Sequence, residues 1–222
     1  MGTLYLVRHG QASFGADNYD VLSELGQRQA LRLGQYLRER GVVFEASITG
    51  TLERQRQTHA GICQGLGQSL SALEWPALNE YDSLALIEAI HPQPLARPDT
   101  PELYRHHFRL LRQALQAWIA GQIAPRGMPP FEQWRAGIRA ALDHVRQAHQ
   151  GAVLLVSSGG PIATAVGEVI EASPTSWIEL NLRIRNASVT QFEFNPKRHS
   201  LLTYNTLPHF DAPEYVDWVT YT

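Results

Sequence analysis

The first apolar run of the chain, Leu4 to Val7, is short and ends on Arg8-His9-Gly10. A run of this kind predicts a buried strand. Gln11 to Asp20 is polar and reads as a loop. Ser23 caps a helix in which Leu25, Ala30, Leu33 and Leu37 recur at near-helical spacing through Arg40, and Gly41 ends it. Phe44 to Thr49 predicts a second strand. A helix beginning at Thr51 carries Arg54, Arg56 and Thr58. Leu73 to Trp75 predicts a short strand, closed by Pro76. A Pro-rich break over 91–100, a helix from Glu102 to Ile119 and a second break at Gly127-Met128-Pro129-Pro130 follow. Trp134, Ile138, Leu142 and Val145 then mark one helical face. Val153 to Val156 is the clearest buried strand, and Ser157-Ser158-Gly159-Gly160-Pro161 leads from it into a helix through Ile170. Val189 to Phe194 and Leu201 to Tyr204 flank Asn195-Pro196-Lys197 and predict an edge hairpin. The tail from Pro208 to Thr222 is aromatic without a helical period.

Strand, helix, strand, helix predicts an α/β fold with a mainly parallel central sheet flanked by helices. No linker or repeat divides the chain, so residues 1–222 read as one domain. A helical insertion at about 80–132 covers the site or binds a partner. The tail aromatics Tyr215, Trp218 and Tyr221 join a homodimer or pack on the protein's own surface.

Composition narrows the function classes. Hydrophobic residues make up 44% of the chain and charged residues 18%, enough apolar material for a sizeable core. The formal charge of −2 leaves no bulk basic field for nucleic acid. Cys63 is the only cysteine, which fits a reducing compartment. No apolar run approaches a membrane span, and Arg8-His9 interrupts what would be a secretory leader. The expectation is a cytoplasmic protein without membrane or nucleic-acid partners.

The chemistry gathers at strand ends, where ligands bind in open α/β sheets. His9 can attack phosphorus and hold the phosphoryl group, and Gly10 lets the backbone turn and approach a ligand closely. Arg8 and Arg54 are fixed cations that bind phosphoryl oxygens through paired hydrogen bonds. Neighbouring parallel strands would bring both to one sheet edge, although Arg28 and Arg56 are equally plausible as surface cations. Glu80 is the candidate proton donor, with Glu74 and Asp82 as alternatives. The glycine-rich turn after Val156 exposes N–H groups that suit phosphate oxygens. Val156 stands where a nucleophile elbow needs glycine, which argues against a serine hydrolase centred on Ser158. His106-His107 lack the spacing of a metal site, and the expectation is no metal and no cofactor.

With these residues gathered, the chain resembles the histidine phosphatase superfamily, also called phosphoglycerate mutase-like. Leu6-Val7-Arg8-His9-Gly10 looks like its signature, and Ser23-Glu24-Leu25-Gly26-Gln27-Arg28-Gln29-Ala30 resembles its first helix. Thr51-Leu52-Glu53-Arg54 with Thr58 is similar to its second arginine motif, and Leu78-Asn79-Glu80 to the segment carrying its acid. The resemblance implies His9 as nucleophile, Arg8 and Arg54 as phosphate clamps and Glu80 as general acid. Gln11 and the loop around Ser13 to Gly15 complete the pocket, together with Ser158 and Gly159. It implies a small phosphorylated substrate and a metal-independent phosphatase. A non-catalytic phosphate-binding module and a phosphoglycerate-type mutase are the alternatives. One departure stands out: Ser158 occupies the place of the family's second histidine. A hydroxyl there brings no charge, which predicts a barrier higher by about 2–4 kcal/mol and a gain on Ser158→His. His209 in the tail is a candidate for restoring the charge.

Overall fold

The computed structural model describes residues 1–13, 19–95 and 100–221. Six strands form one sheet: β1 (Gly2–Arg8), β2 (Phe44–Thr49), β3 (Ala72–Glu74), β4 (Ala152–Ser157), β5 (Val189–Asn195) and β6 (Arg198–Thr206). Their order is β3-β2-β4-β1-β5-β6. The first four pair in parallel, whereas β5 is antiparallel to both β1 and β6. The helices are α1 (Glu24–Glu39), α2 (Glu53–Leu66), α3 (Ser83–Ile90), α4 (Pro101–Ile119), α5 (Phe131–Ala148), α6 (Gly159–Val169) and α7 (Pro174–Asn181). The predicted elements are present, with α3 and α7 added. α2 starts two residues later than expected, at Glu53.

Alternation along the strands divides the core into two layers. Leu4 and Leu6 of β1, with Val153 and Leu155 of β4, pack against Ile138, Leu142 and Val145 of α5 and Ile162 of α6. Val7, Leu154 and Val156 face the other way, onto Ala30, Leu33 and Leu37 of α1 and Ile62 of α2. The Ser23 hydroxyl caps α1 by accepting from the Gly26 N–H.

The insertion is not an independent body. Its buried residues Leu86, Leu115, Trp118 and Phe131 share one cluster with Trp177 and Ile178 of α7, which follows β4 in sequence. One aromatic cluster thus staples the inserted helices to the second half of the fold.

The tail packs on the protein's own surface. Arg28 lies 4.4 Å over the Trp218 ring, and the Gln29 amide donates to the Trp218 carbonyl at 2.7 Å. His209 does not restore charge to the site. It is buried against Tyr36 and Phe210, with both ring nitrogens unpartnered among the described residues. Burial, with Arg32 nearby, pushes its pKa down to about 3. The unfolded chain therefore takes up a proton near pH 6.5 that the folded chain refuses. Stability from this residue is complete above pH 6.5 and is lost as pH falls toward 3. Between pH 7.5 and 5, wild type should lose about 2 kcal/mol more than His209→Phe, read from urea melts. Equal losses would exclude His209 as an acid-sensitive element.

Candidate active site

Arg8 is the last residue of β1, His9 follows it, and Arg54 sits in the first turn of α2. β1 and β2 are not neighbours, contrary to expectation: β4 lies between them. The two ends are still brought together because Arg8 pairs with Ser157 and Thr49 with Val156, so three parallel strands finish in register. Gly10 has no positive φ, and its need for a missing Cβ lies elsewhere. A Cβ on Gly10 would stand 2.5 Å from the Gly26 carbonyl oxygen, so the glycine lets α1 press against the loop that carries His9.

His9 is buried, with a ring geometry that specifies its tautomer. Nδ1 lies 2.7 Å from the Gly10 carbonyl, which can only accept, so Nδ1 carries the proton. Nε2 keeps its lone pair and accepts from Arg54 Nε at 3.2 Å. Burial, and then the charges of Arg8 and Arg54, hold the imidazole well below its ordinary pKa. It is therefore a neutral imidazole beside two cations.

Each guanidinium is anchored on one side. Arg8 Nη1 donates to the Ile184 carbonyl at 2.6 Å and the Tyr221 carbonyl at 3.1 Å, while its buried Nε has no partner among the described residues. Arg54 Nη1 pairs with Asp20 at 2.6 Å, and the other oxygen of Asp20 accepts the Glu53 N–H at 2.9 Å. Asp20 thus sits at the start of α2, where helix N–H groups attract negative charge.

At the turn after β4, where N–H groups were expected to face phosphate, the structure differs. The Gly160 N–H donates to both Glu80 oxygens, at 3.0 and 3.2 Å. The start of α6 therefore holds the protein's own carboxylate. Burial raises the Glu80 pKa, against the lowering influence of that N–H and of Arg54 and Arg8. The alternatives have other work: Glu74 pairs with Arg56 at 2.7 Å on the surface, and Asp82 caps α3. Arg28 and Arg56 are likewise outside the site.

Arg8, His9, Arg54 and Glu80 line one cavity of about 380 Å³. Of the other expected pocket residues, the described ones, Gln11, Ser13, Ser158 and Gly159, do not line it. The Gln11 N–H donates to Gln29 and the Ser13 N–H to the Val21 carbonyl, so both are already engaged. Gly159 packs behind Glu80, near Asn181 and Ile184, and Gly15 lies outside the described residues. Ser158 is fully buried, its hydroxyl accepting from the Gln55 amide at 2.9 Å. That geometry reverses the expected gain. Ser158→His would overpack a full site, costing about 1–3 kcal/mol. It should lower the melting temperature without raising turnover of p-nitrophenyl phosphate.

Several lining groups were not anticipated: Tyr81, whose hydroxyl takes a 2.6 Å hydrogen bond from Asn181, and Tyr104, His107 and Phe108 of α4. The helical period of α4 was readable, but which side of it meets the site depends on the folded insertion.

Comparison with known proteins agrees with this geometry. A family model described as the histidine phosphatase superfamily (branch 1) matches residues 4–207. A protein named "Probable phosphoglycerate mutase GpmB" from Escherichia coli is 26% identical over 222 residues, covering 95% of each chain. The 2,3-bisphosphoglycerate-dependent phosphoglycerate mutase of Mesorhizobium japonicum is 40% identical over 87 residues. The match spans 36% of this chain and only about two-fifths (42%) of that relative's length. The solved mycobacterial glucosyl-3-phosphoglycerate phosphatase in complex with VO3 superposes with a TM-score of 0.66 at 22% identity, covering 93% of this chain and 100% of that one. At that identity the likeness speaks for the fold. The family match runs from within β1 to past the end of β6, and the chain belongs to the histidine phosphatase superfamily.

Proposed function

We propose that the protein is a metal-independent phosphatase that hydrolyses a phosphomonoester through a phosphohistidine at His9. One observation carries this reading. The unprotonated Nε2 of His9 stands 3.2 Å from Arg54 Nε, in a cavity shared with Arg8 and Glu80. In the first step Nε2 attacks phosphorus as the ester P–O bond breaks, and the Glu80 carboxyl gives its proton to the departing oxygen. Arg8 and Arg54 hold the equatorial oxygens and supply the positive charge that this transfer needs. In the second step Glu80, now a carboxylate, takes a proton from water as the water oxygen attacks phosphorus. The P–N bond breaks, orthophosphate leaves and His9 returns to its neutral form.

Mixing enzyme with p-nitrophenyl phosphate and quenching in base should trap an acid-labile phosphoryl group on His9, located by mass spectrometry. Alcohol and orthophosphate should then appear in equal amounts. A trapped phosphoryl group returned to substrate rather than to water would favour the mutase reading that the names of two relatives suggest. Absence of both trap and turnover would leave a phosphate-binding module.

A further inference from the structure

Away from the reacting end, the cavity changes character. α4 carries one apolar stripe along its length, but the stripe meets two different surroundings. Toward the C-terminus Leu115 and Trp118 are buried in the aromatic cluster shared with α7. Toward the N-terminus Tyr104 and Phe108 continue the same face onto the cavity, their rings 4.5 Å apart and tilted by 41°. Tyr104 is 40% exposed, and Leu84 on the neighbouring α3 is 64% exposed. Large apolar side chains are thus left wet beside the phosphate site, where a ligand would cover them.

The charges point the same way. Among the described residues, Arg8 and Arg54 are the only permanent cations lining the cavity, and both stand at the reacting end. His107 is the remaining nitrogen base on the wall, and burial and His106 hold it toward its neutral form. A second anionic group on the substrate, such as the carboxylate of a phosphoglycerate, would find mostly rings and leucines there, with Ser83, His107 and Asn181 but no permanent cation among the described residues. We propose that the ester this site accepts carries an aromatic or other planar apolar group, which stacks on Tyr104 and Phe108 while the phosphoryl group sits between the two arginines.

This inference rests on the phosphatase reading, and the test separates the two. 1-Naphthyl phosphate, glycerol 1-phosphate and 3-phosphoglycerate are compared as substrates of the full chain, with His9→Ala as the control. The naphthyl ester should have a KM at least 10-fold below that of 3-phosphoglycerate, the comparison being made in KM because the better leaving group would raise kcat by itself. Tyr104→Ala, at an exposed position, should shrink the naphthyl-to-glycerol preference at least 5-fold through KM, and Phe108→Ala should do the same. Phe108→Tyr should restore it. His9-dependent turnover with 3-phosphoglycerate equal to or better than the naphthyl ester would overturn the inference and leave the phosphatase standing. Should no ester be turned over, the phosphatase reading fails, and calorimetry on the wild-type chain still decides. Naphthyl phosphate should then bind at least 10-fold more tightly than 3-phosphoglycerate, and equal affinities would reject the stacking wall.

Discussion

Replacing His9 with Ala is expected to lower single-turnover hydrolysis of p-nitrophenyl phosphate by about 10⁴-fold or more, the scale seen when a covalent nucleophile is removed. The expectation follows from the lone pair on Nε2, which no other side chain duplicates beside the two guanidiniums. The variant should fold. What ties His9 to its surroundings is largely main chain: its carbonyl accepts from the Ala187 N–H at 3.2 Å and from the Asn186 amide at 3.3 Å. Alanine keeps both contacts. Arg54 Nε loses the acceptor it has at 3.2 Å and becomes free for an anion, so orthophosphate binding should be retained. The pH profile gives a second reading. Only the neutral imidazole attacks, and its pKa is depressed, so the acid limb of kcat/KM should fall below pH 6.5. Undiminished turnover in the variant would remove the histidine from the mechanism.

Exchanging Glu80 for Gln should separate substrates by their leaving groups. An alkyl phosphate releases a strongly basic alkoxide and needs the proton, so its turnover should drop about 10²–10⁴-fold. p-Nitrophenolate leaves without much help, and its ester should lose far less. Glutamine suits the test because its amide oxygen still accepts the Gly160 N–H that grips the carboxylate at 3.0 Å. Protonation sets the sign of the pH dependence. The first step needs the carboxylic acid, and burial raises the pKa of Glu80. Activity toward alkyl esters should therefore fall as pH rises through that raised value, and this alkaline limb should be missing in Glu80→Gln. A bound phosphoryl dianion pushes the pKa higher still, extending the working range once substrate is present. An unchanged alkaline limb would mean that another group delivers the proton.

The sheet was legible because its strands are short apolar runs bounded by turn residues, and β4 is buried almost throughout. That Arg8, His9, Arg54 and Glu80 share a cavity was legible because each lies at, or shortly after, a strand end. The supporting contacts were not. Ser158 reads as a hydroxyl beside phosphate, but the buried Gln55 amide, 103 residues away in sequence, takes it. The glycine-rich turn reads as a cradle for phosphate oxygens, but the oxygens it holds are those of the Glu80 carboxyl. Asp20 sits in a polar loop without periodicity, and only the fold shows it orienting Arg54. Each miss concerns a polar group whose partner comes from a distant segment, which periodicity does not encode. His209 failed for a related reason: sequence shows a titratable group in the tail but not the apolar pocket that keeps it neutral.

Arg8 is held through its Nη1 by the carbonyl of Tyr221, 213 residues further along the chain, and by that of Ile184. His9 thus leaves the ribosome long before the groups that aim its neighbouring cation are made. Chemistry here is a late reporter of assembly. A nascent chain halted before residue 184 should display His9 yet release no orthophosphate, and during refolding catalysis should lag behind the recovery of helical signal.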